Sequence, residues 1–302
     1  MTEEIELRLE SLYTEGRTPQ PMDRVYLARY LKRPKIEDYV NALFTDFFEQ
    51  KGDLLGKEDS SIFGGIGKFH GMSVTVIGHK KGSSWDENLA CNFGMPGPEG
   101  YRKALRMMKQ AEKFGRPIVT FIDTPGAYPG IEAEMYGQSQ AIAANLAAMS
   151  SLKVPVISIV TGEGSSGGAL AIGVANKVFM LENAIYSILS PEGFSSILWG
   201  DSSLKEKASE VMKLTAEDLL SLGVIDGIIE EPLGGAHRDP EAVYEAIDAL
   251  LVKELKAMKG KSGVELAKQR YLKFRNMDEA YRVDDTKNKN VSNEESEEDD
   301  VE

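Results

Sequence analysis

Two short apolar runs, each followed directly by a glycine-rich turn, constrain the fold of this chain more than any other feature. Residues 117–123 lead into the turn 124–130, and residues 154–160 lead into the turn 162–168. A short apolar run that ends at glycine or proline is typical of a strand covered on both faces, as in a parallel sheet. Residues 132–150 have helical spacing. The sequence therefore predicts an α/β fold in which both turns open at one edge of the sheet, where such sheets bind ligands.

The segments on either side of this block show similar patterns. Residues 1–50 indicate polar helices punctuated by prolines, and one of these helices is predicted to run from 36 to 48. Ser190 before Pro191 predicts a helix start, with Glu192 supporting the helix dipole rather than acting as a catalytic carboxylate. Further helices are predicted at 99–114, 217–222 and 240–258, and further strands at 73–77, 178–181 and 185–189.

Composition and charge argue against several classes of function. The chain has 302 residues, of which 42% are hydrophobic, so it can bury a sizeable core. A net charge of -13 argues against a nucleic-acid partner, because phosphate contacts need basic patches. No apolar run is long enough to cross a membrane, and the acidic start is unlike a secretory signal. The single cysteine, Cys91, excludes an internal disulfide framework. We expect a cytoplasmic protein.

Much of the negative charge lies at the end of the sequence. Residues 284–302 carry nine Asp or Glu and two Lys. Such a segment has few apolar side chains to bury and cannot offset the entropy lost on ordering. It is predicted to be a disordered acidic tail.

The second glycine-rich turn allows three interpretations, and the first is a dinucleotide site. Gly162, Gly164 and Gly167 form a G-x-G-x-x-G pattern after a predicted strand, and Glu182 lies twenty residues beyond the first glycine. That spacing is typical of a turn that binds a pyrophosphate, followed by an acid for the ribose. The pattern lies in mid-chain, however, and Gly173 interrupts the short helix that follows, which weakens this interpretation.

The second interpretation is a serine hydrolase. Residues 164–168 read G-x-S-x-G, which would make Ser166 the nucleophile. Asp226 and His237 follow in the order of an α/β-hydrolase triad. So short a pattern arises often by chance, and a small side chain such as that of Ser166 also suits a tight turn.

The third interpretation assigns the chemistry to the backbone. Consecutive glycines at a helix start leave peptide N–H groups uncovered, and these can bind an oxygen that gains negative charge during a reaction. Two such turns side by side suit a polarised carbonyl, either that of a thioester during enolate chemistry or that of a urea. The lack of a convincing side-chain nucleophile favours this interpretation.

A series of motifs, taken in order, carries a resemblance to a known family. The matching stretches are 92–96, 98–105, 121–130, 162–173, 190–194 and 231–237. On these residues the chain resembles the carboxyltransferase alpha subunits of bacterial multi-subunit acetyl-CoA carboxylase, which are members of the crotonase superfamily. The resemblance covers roughly residues 22 to 275.

The resemblance implies a fold and a division into domains. It implies a crotonase-like spiral of ββα units over residues 51–283. A helical N-terminal extension, residues 1–50, would precede this domain, and the acidic tail, residues 284–302, would follow it.

The resemblance also implies partners and a reaction. The enzyme would be active only with a beta subunit, in an α2β2 heterotetramer. Biotin carboxylase and the biotin carboxyl carrier protein would complete the larger complex. In the family the beta subunit carries zinc, and no metal is expected on this chain. The implied reaction moves a carboxyl group from carboxybiotin to acetyl-CoA and gives malonyl-CoA for fatty-acid synthesis.

Site residues follow from the same resemblance. The N–H groups of Gly167 and Gly168 are implied to form an oxyanion hole for the ureido oxygen of biotin, with no side-chain base required. Gly126 and Ala127 would form the adjoining wall. The implied substrate-binding residues are Gly126, Ala127, Tyr128, Gly130, Gly164, Ser165 and Ser166.

The chain departs from the family pattern at four places. Residues 50–54, 83–85 and 133–137 differ from the usual stretches, with the loss of several basic groups, and Ser165 stands where a second glycine commonly follows Gly164. The lost basic groups could contact CoA phosphates or the beta chain. A carboxyltransferase for another acyl-CoA is therefore an alternative, beside the serine hydrolase built on Ser166.

Overall fold

A single eight-stranded sheet organises the part of the chain that the structure describes. The computed structural model describes residues 3–277. The strands are β1 (Thr45–Glu49), β2 (Ile62–Phe69), β3 (Met72–His79), β4 (Ile118–Thr124), β5 (Val156–Ser165), β6 (Lys177–Leu181), β7 (Ile185–Ser187) and β8 (Gly227–Ile229).

The strands follow one another across the sheet almost in chain order. That order is β1-β2-β3-β4-β5-β6-β8, and β7 pairs with the end of β5. Strands β1 to β3 are antiparallel, whereas β3, β4, β5, β6 and β8 run parallel. The parallel half therefore places the carboxyl ends of neighbouring strands at one edge.

Helices occupy most of the connections between strands. Over residues 3–277 they are α1 (Glu3–Thr14), α2 (Pro21–Ala28), α3 (Ile36–Leu43), α4 (Trp85–Ala90), α5 (Pro98–Lys113), α6 (Ile131–Met135), α7 (Gln138–Ser151), α8 (Ser166–Leu170), α9 (Pro191–Trp199), α10 (Lys205–Val211), α11 (Ala216–Ser221), α12 (Pro240–Met258) and α13 (Gly263–Arg275). Helix α5 packs against α7, and α12 packs against α3.

The core lies around β4 and β5, and every residue of both strands is buried. Two polar side chains within it, Thr120 and Ser158, bond to each other at 2.7 Å, so they are not left unsatisfied. Helix α5 buries Ala104, Met108 and Ala111, as its spacing predicted. The predicted buried parallel strands are confirmed.

Two helix predictions are wrong in their extent. The helix predicted from 36 to 48 ends at Leu43, and β1 follows it. Gly65 in β2 explains the change, because a Cβ there would strike the backbone of Phe48 and its absence lets β1 pair closely. The helix predicted at 132–150 divides into α6 and α7 at Gly137, whose φ of 85° belongs to the left-handed region.

The largest correction concerns the second glycine-rich turn. Residues 162–165 are not a loop, because β5 continues through them to Ser165. A Cβ on Gly162 would strike the Asp123 carboxylate, and a Cβ on Gly164 would lie 2.9 Å from the Tyr186 ring. These glycines serve close packing inside the strand. The turn itself begins only at Ser166.

Of the remaining helices and strands, some confirm the predictions and others were not predicted. Helix α12 and strand β6 confirm the predictions at 240–258 and 178–181, whereas α4, α10, α13 and β8 were not predicted. The predicted acidic tail, 284–302, lies outside the described residues. The domain boundaries at 50 and 283 stay predictions.

Candidate active site

The carboxyl ends of β4 and β5 bring the two turns into contact. These strands are parallel neighbours, with Ile122 opposite Val160. A Cβ added to Gly168 would lie 2.5 Å from the nitrogen of Ala127 and 2.6 Å from the carbonyl carbon of Gly126. The turns therefore touch through bare backbone, and the prediction that they open at the same edge is confirmed.

The turn after β5 exposes unused hydrogen-bond donors. Ser166 has a φ of 54°, which turns the chain sharply into α8. Ser166 is exposed, Gly167 is half-buried and Gly168 is buried. Over residues 3–277, the N–H groups of Gly167 and Gly168 donate to no carbonyl or side chain. Donors in the first turn of a helix have no partner within that helix, so these two can bind another acceptor.

The turn after β4 has the backbone polar groups of Gly126 and Tyr128 hydrogen-bonded. Thr124 Oγ1 accepts the N–H of Gly126 at 3.0 Å and donates to the Gly126 carbonyl at 2.8 Å. The N–H of Tyr128 donates to the Pro96 carbonyl at 3.0 Å, and Gln138 Nε2 donates to the Tyr128 carbonyl at 3.0 Å. This turn is a fixed wall beside the donors of the other turn.

Four of the predicted substrate-binding residues differ in burial, two lying at the surface and two inside β5. Tyr128 is exposed and Gly130 is half-buried, so both lie at the surface of the wall. Gly164 and Ser165 are buried inside β5, where they pair with Tyr186 and Ser187 of β7. The structure therefore places Gly164 and Ser165 beneath the turn that begins at Ser166.

A buried group of charges, which no sequence motif predicted, lies under both turns. Lys81 Nζ lies 2.7 Å from Asp123 Oδ1 and 2.7 Å from Glu163 Oε2. Arg29 Nε pairs with Glu163 Oε1 at 2.6 Å. Burial favours neutral Glu163, but Lys81 and Arg29 outweigh it and lower the pKa of Glu163 to about 2. The signal in the sequence was one acidic residue near the end of each of two mainly apolar strands.

The helix predicted at Ser190 is also confirmed. Ser190 Oγ accepts the N–H of Gly193 and caps α9, which begins at Pro191. Glu192 lies in the first turn of that helix and pairs with Arg29 at 3.0 Å. Glu192 thus links α9 to the buried charges.

His79, at the end of β3, lies close to the same turn. It is buried, and neither ring nitrogen has a hydrogen-bond partner over residues 3–277. Burial lowers the pKa of His79 to about 3, although Asp123 and the backbone of Gly168 both favour the charged ring. The imidazole is therefore neutral at neutral pH.

The structure contradicts the serine-hydrolase triad. Asp226 accepts the N–H of Val178 at the amino end of β6 and pairs with Lys177 at 3.1 Å. Ser166, in contrast, follows the carboxyl end of β5, at the opposite edge of the sheet. The His237 ring packs against Tyr30, with 4.6 Å between ring centroids. These three residues do not assemble, so that interpretation is wrong.

The dinucleotide interpretation is also wrong. Gly162 and Gly164 lie within β5 rather than in a strand-to-helix turn, and α8 has only five residues. Glu182 Oε2 accepts the N–H of Glu231 and is not free to bind a ribose.

Two further findings bear on ligands. Residues 3–277 contain no group of three or more His, Cys, Asp or Glu side chains that could hold a metal ion. Over the same residues, no helix is both long enough and apolar enough to span a bilayer.

Solved structures define the class of the fold. Transcarboxylase 12S, with methylmalonyl-coenzyme A and methylmalonic acid bound, matches with a TM-score of 0.61 and 19% identity over 81% of this chain and 46% of that one. The beta subunit of P. aeruginosa geranyl-CoA carboxylase matches with a TM-score of 0.59 and 16% identity over 83% and 46%. This chain thus spans about half the length of either. The fold is the crotonase-like fold of carboxyltransferases.

Sequence comparison then shows the family. A family model described as acetyl co-enzyme A carboxylase carboxyltransferase-like matches residues 2–278. The acetyl-coenzyme A carboxylase carboxyl transferase alpha subunit of Bacillus velezensis is 56% identical over 272 residues, 90% of this chain and 84% of that protein. The Listeria monocytogenes subunit is 57% identical over 253 residues, 84% and 80% of the two chains. The chain belongs to this family of alpha subunits, and the resemblance stated from its motifs is confirmed.

Proposed function

We propose that this chain is the alpha half of a biotin-dependent carboxyltransferase that makes malonyl-CoA from acetyl-CoA. Carboxybiotin on a carrier protein would supply the carboxyl group. Membership of the alpha-subunit family supports the reaction class. The observation that carries the proposal is the pair of N–H groups at Gly167 and Gly168 that have no partner over residues 3–277, beside a turn in which Thr124 holds Gly126.

The residues present fit the ureido group of biotin. Its oxygen is a hydrogen-bond acceptor, and Gly167 and Gly168 offer two donors with no other partner over residues 3–277. On the facing wall, Gly126 has a φ of 142°, and a Cβ built there would meet nothing within 4 Å. Donors on one side and open space on the other are what a planar ring with a polar oxygen requires.

The backbone of this chain would stabilise negative charge on that oxygen. Amides fixed in place need no reorganisation during the reaction, and one such donor is worth about 3 kcal/mol of transition-state stabilisation. Gly126, Ala127, Tyr128 and Gly130 would contact the bound group from the wall, and Ser166 would contact it at the rim. Gly164 and Ser165 would support the turn from below.

No side chain of this site has to act as a base. Ser166 makes no hydrogen bond that would activate its hydroxyl over residues 3–277, and the triad with His237 is not formed. His79 is buried and neutral. The chemistry assigned to this chain is therefore binding, orientation and charge stabilisation by main-chain amides.

A second subunit would complete the active site. We propose a beta subunit that carries a zinc site and binds most of acetyl-CoA, in an α2β2 heterotetramer. The biotin carboxyl carrier protein and biotin carboxylase would be the further partners. The place of the product in fatty-acid synthesis, and a cytoplasmic location, stay predictions of the same kind.

Reconstitution tests the function. The purified chain would be mixed with a family beta subunit, carboxylated biotin carrier and acetyl-CoA, and malonyl-CoA would be measured. We expect product only when both subunits are present. Propionyl-CoA in a parallel reaction tests acyl preference, because basic groups that could meet CoA are lost at 50–54 and 83–85. Assembly of both subunits without product from either thioester would refute the proposal.

A control variant for this test, which adds a side chain but keeps the N–H donor, is available at Gly167. Gly167→Ala keeps the N–H, and its Cβ would lie in ordinary contact with Ile142 at 3.7 Å. Position 168 is unsuitable, because any side chain there strikes Ala127 and Gly126. Loss of activity in a Gly168 variant would not separate the missing donor from the steric clash.

A further inference from the structure

The pairing of β4 with β5 is interrupted just before the two turns. Ile122 pairs with Val160 and Thr124 pairs with Gly164, so Asp123 alone stands opposite residues 161–163. The extra residues of β5 leave the ladder locally without its regular backbone hydrogen bonds. The ends that carry the two halves of the site are therefore not held by the sheet alone.

The Asp123 side chain fills this gap. Its Oδ1 accepts the N–H of Glu163 at 3.0 Å, a bond that the ladder would otherwise supply. Gly162 makes room, because a Cβ there would strike the same carboxylate. The gap is thus closed by a buried negative charge, which needs a compensating positive charge.

Lys81, on the segment after β3, supplies that charge. Its Nζ lies 2.7 Å from Asp123 Oδ1 and 2.7 Å from Glu163 Oε2, one carboxylate from each strand end. The three side chains are 9–13% exposed. Burial alone would lower the pKa of Lys81, but the two carboxylates raise it above its ordinary value. The ammonium therefore stays charged between β4 and β5.

We propose that Lys81 is a positioning residue that clamps the ends of β4 and β5 and so holds the two turns of the site in register. Without its ammonium, two buried carboxylates would repel each other across the gap in the ladder. Asp123 directly precedes the wall, and Glu163 lies three residues before Ser166. Because Gly168 already touches Ala127 and Gly126, opening the gap would displace the amides of Gly167 and Gly168. This inference rests on the proposed function for its consequence in catalysis.

The test compares Lys81→Met with Lys80→Met. Lys80 is the adjacent lysine and makes one ion pair, with Glu37 at 2.6 Å, away from the gap. Hydrogen exchange of peptides covering 123–130 and 160–170 reports directly on the turns. We expect faster exchange in both peptides of Lys81→Met and wild-type exchange in Lys80→Met. Unchanged exchange in folded Lys81→Met would overturn the inference, whatever its activity and whether or not the wild type transfers carboxyl groups.

Kinetics of the reconstituted enzyme give the second readout. Displacement of catalytic groups by about 1 Å can cost about 100-fold in rate. We expect Lys81→Met to lower kcat by about that factor and to change the KM for acetyl-CoA less than about threefold. Equal turnover per folded molecule in the wild type and Lys81→Met would contradict a positioning role.

A charge-compensated variant separates positioning from direct catalysis. Lys81→Met combined with Asp123→Asn removes both charges, while an asparagine oxygen can still accept the N–H of Glu163 and Arg29 still pairs with Glu163. This double variant should recover at least about tenfold of the lost kcat and restore the exchange of both peptides. If Lys81→Met alone does not fold, the double variant alone is used for the test. A folded double variant with a kcat about 100-fold below wild type would show that Lys81 acts directly, and the inference would fail.

Discussion

The turns that follow β4 and β5 meet at one edge of the sheet but differ in how many of their backbone polar groups are hydrogen-bonded. After β4, Thr124 bonds both the N–H and the carbonyl of Gly126, and neighbouring segments bond Tyr128. After β5, the N–H groups of Gly167 and Gly168 have no partner over residues 3–277. A hydrogen-bonded segment of backbone can define the shape of a binding site, whereas donors without a partner can stabilise negative charge on the ligand. In the proposed site, the two glycine-rich turns would therefore make different contributions.

The largest effect should come from forcing the turns apart. Gly168→Ala places a Cβ 2.5 Å from the Ala127 nitrogen and should lower carboxyl transfer by about 100-fold, because the amides move away from the bound oxygen. Overpacking of this kind also costs about 1–3 kcal/mol of stability. Reconstituted kinetics and thermal unfolding measure both effects.

The control for this prediction is Gly167→Ala. Its Cβ would lie 3.7 Å from Ile142, an ordinary contact, so turnover should stay within about threefold of wild type. If the two alanine variants lose activity equally, the close contact between the two turns is not the cause of the loss in Gly168→Ala.

Low pH should destabilise the folded protein through His79, which lies close to the turn after β5. The pKa of its ring is about 3 in the folded protein against 6.5 for the free side chain, because burial opposes the charge. Between these values the unfolded chain binds a proton that the folded chain does not, so stability falls as the pH falls. The loss is about 1.4 kcal/mol per pH unit below 6.5, or about 2 kcal/mol by pH 5.

Chemical unfolding at several pH values measures how much His79 contributes to the loss of stability at low pH. His79→Gln should flatten the decline of stability between pH 6.5 and 5, since glutamine does not titrate. An identical pH slope in the wild type and His79→Gln would show that His79 is not its source.

A smaller effect should follow from loosening the wall. Thr124→Val removes the hydroxyl that bonds Gly126 and leaves a backbone N–H without its partner, at a cost of about 1 kcal/mol. Carboxyl transfer should fall about tenfold, because only the shape of the wall is disturbed. Thr124→Ser keeps the hydroxyl and should behave as wild type. A Thr124→Val enzyme with normal stability and turnover would remove Thr124 from this account.

The smallest effect is expected at Ser166. Its side chain is exposed and accepts or donates no hydrogen bond over residues 3–277, so Ser166→Ala should retain turnover within about threefold. Malonyl-CoA formation by the reconstituted enzyme measures it. Complete loss of activity in Ser166→Ala would instead restore a role for the hydroxyl.

The sequence predicted local features well because local physics determines them. The apolar runs that became β4 and β6 and the amphipathic spacing of α5 and α12 needed no knowledge of distant residues. The meeting of the two turns followed from the parallel geometry of adjacent strands.

Other features depended on contacts that spacing along the chain does not show. The strand β5 runs through Gly162 and Gly164 because Asp123 and Tyr186 occupy the space where side chains would lie. The clamp by Lys81 joins groups 82 residues apart in the chain, and no local pattern encodes such a pairing. Likewise, β1 forms where a helix was predicted because Gly65 lets it approach.

One measurement tests the central claim most directly. Replacing Gly167 by glycolic acid converts its amide into an ester, which deletes the N–H and adds no side chain. In the reconstituted enzyme, kcat should fall by about 100-fold or more, while Gly167→Ala stays near wild type. Near-normal turnover of the ester enzyme would contradict the claim that this main-chain amide stabilises the developing charge.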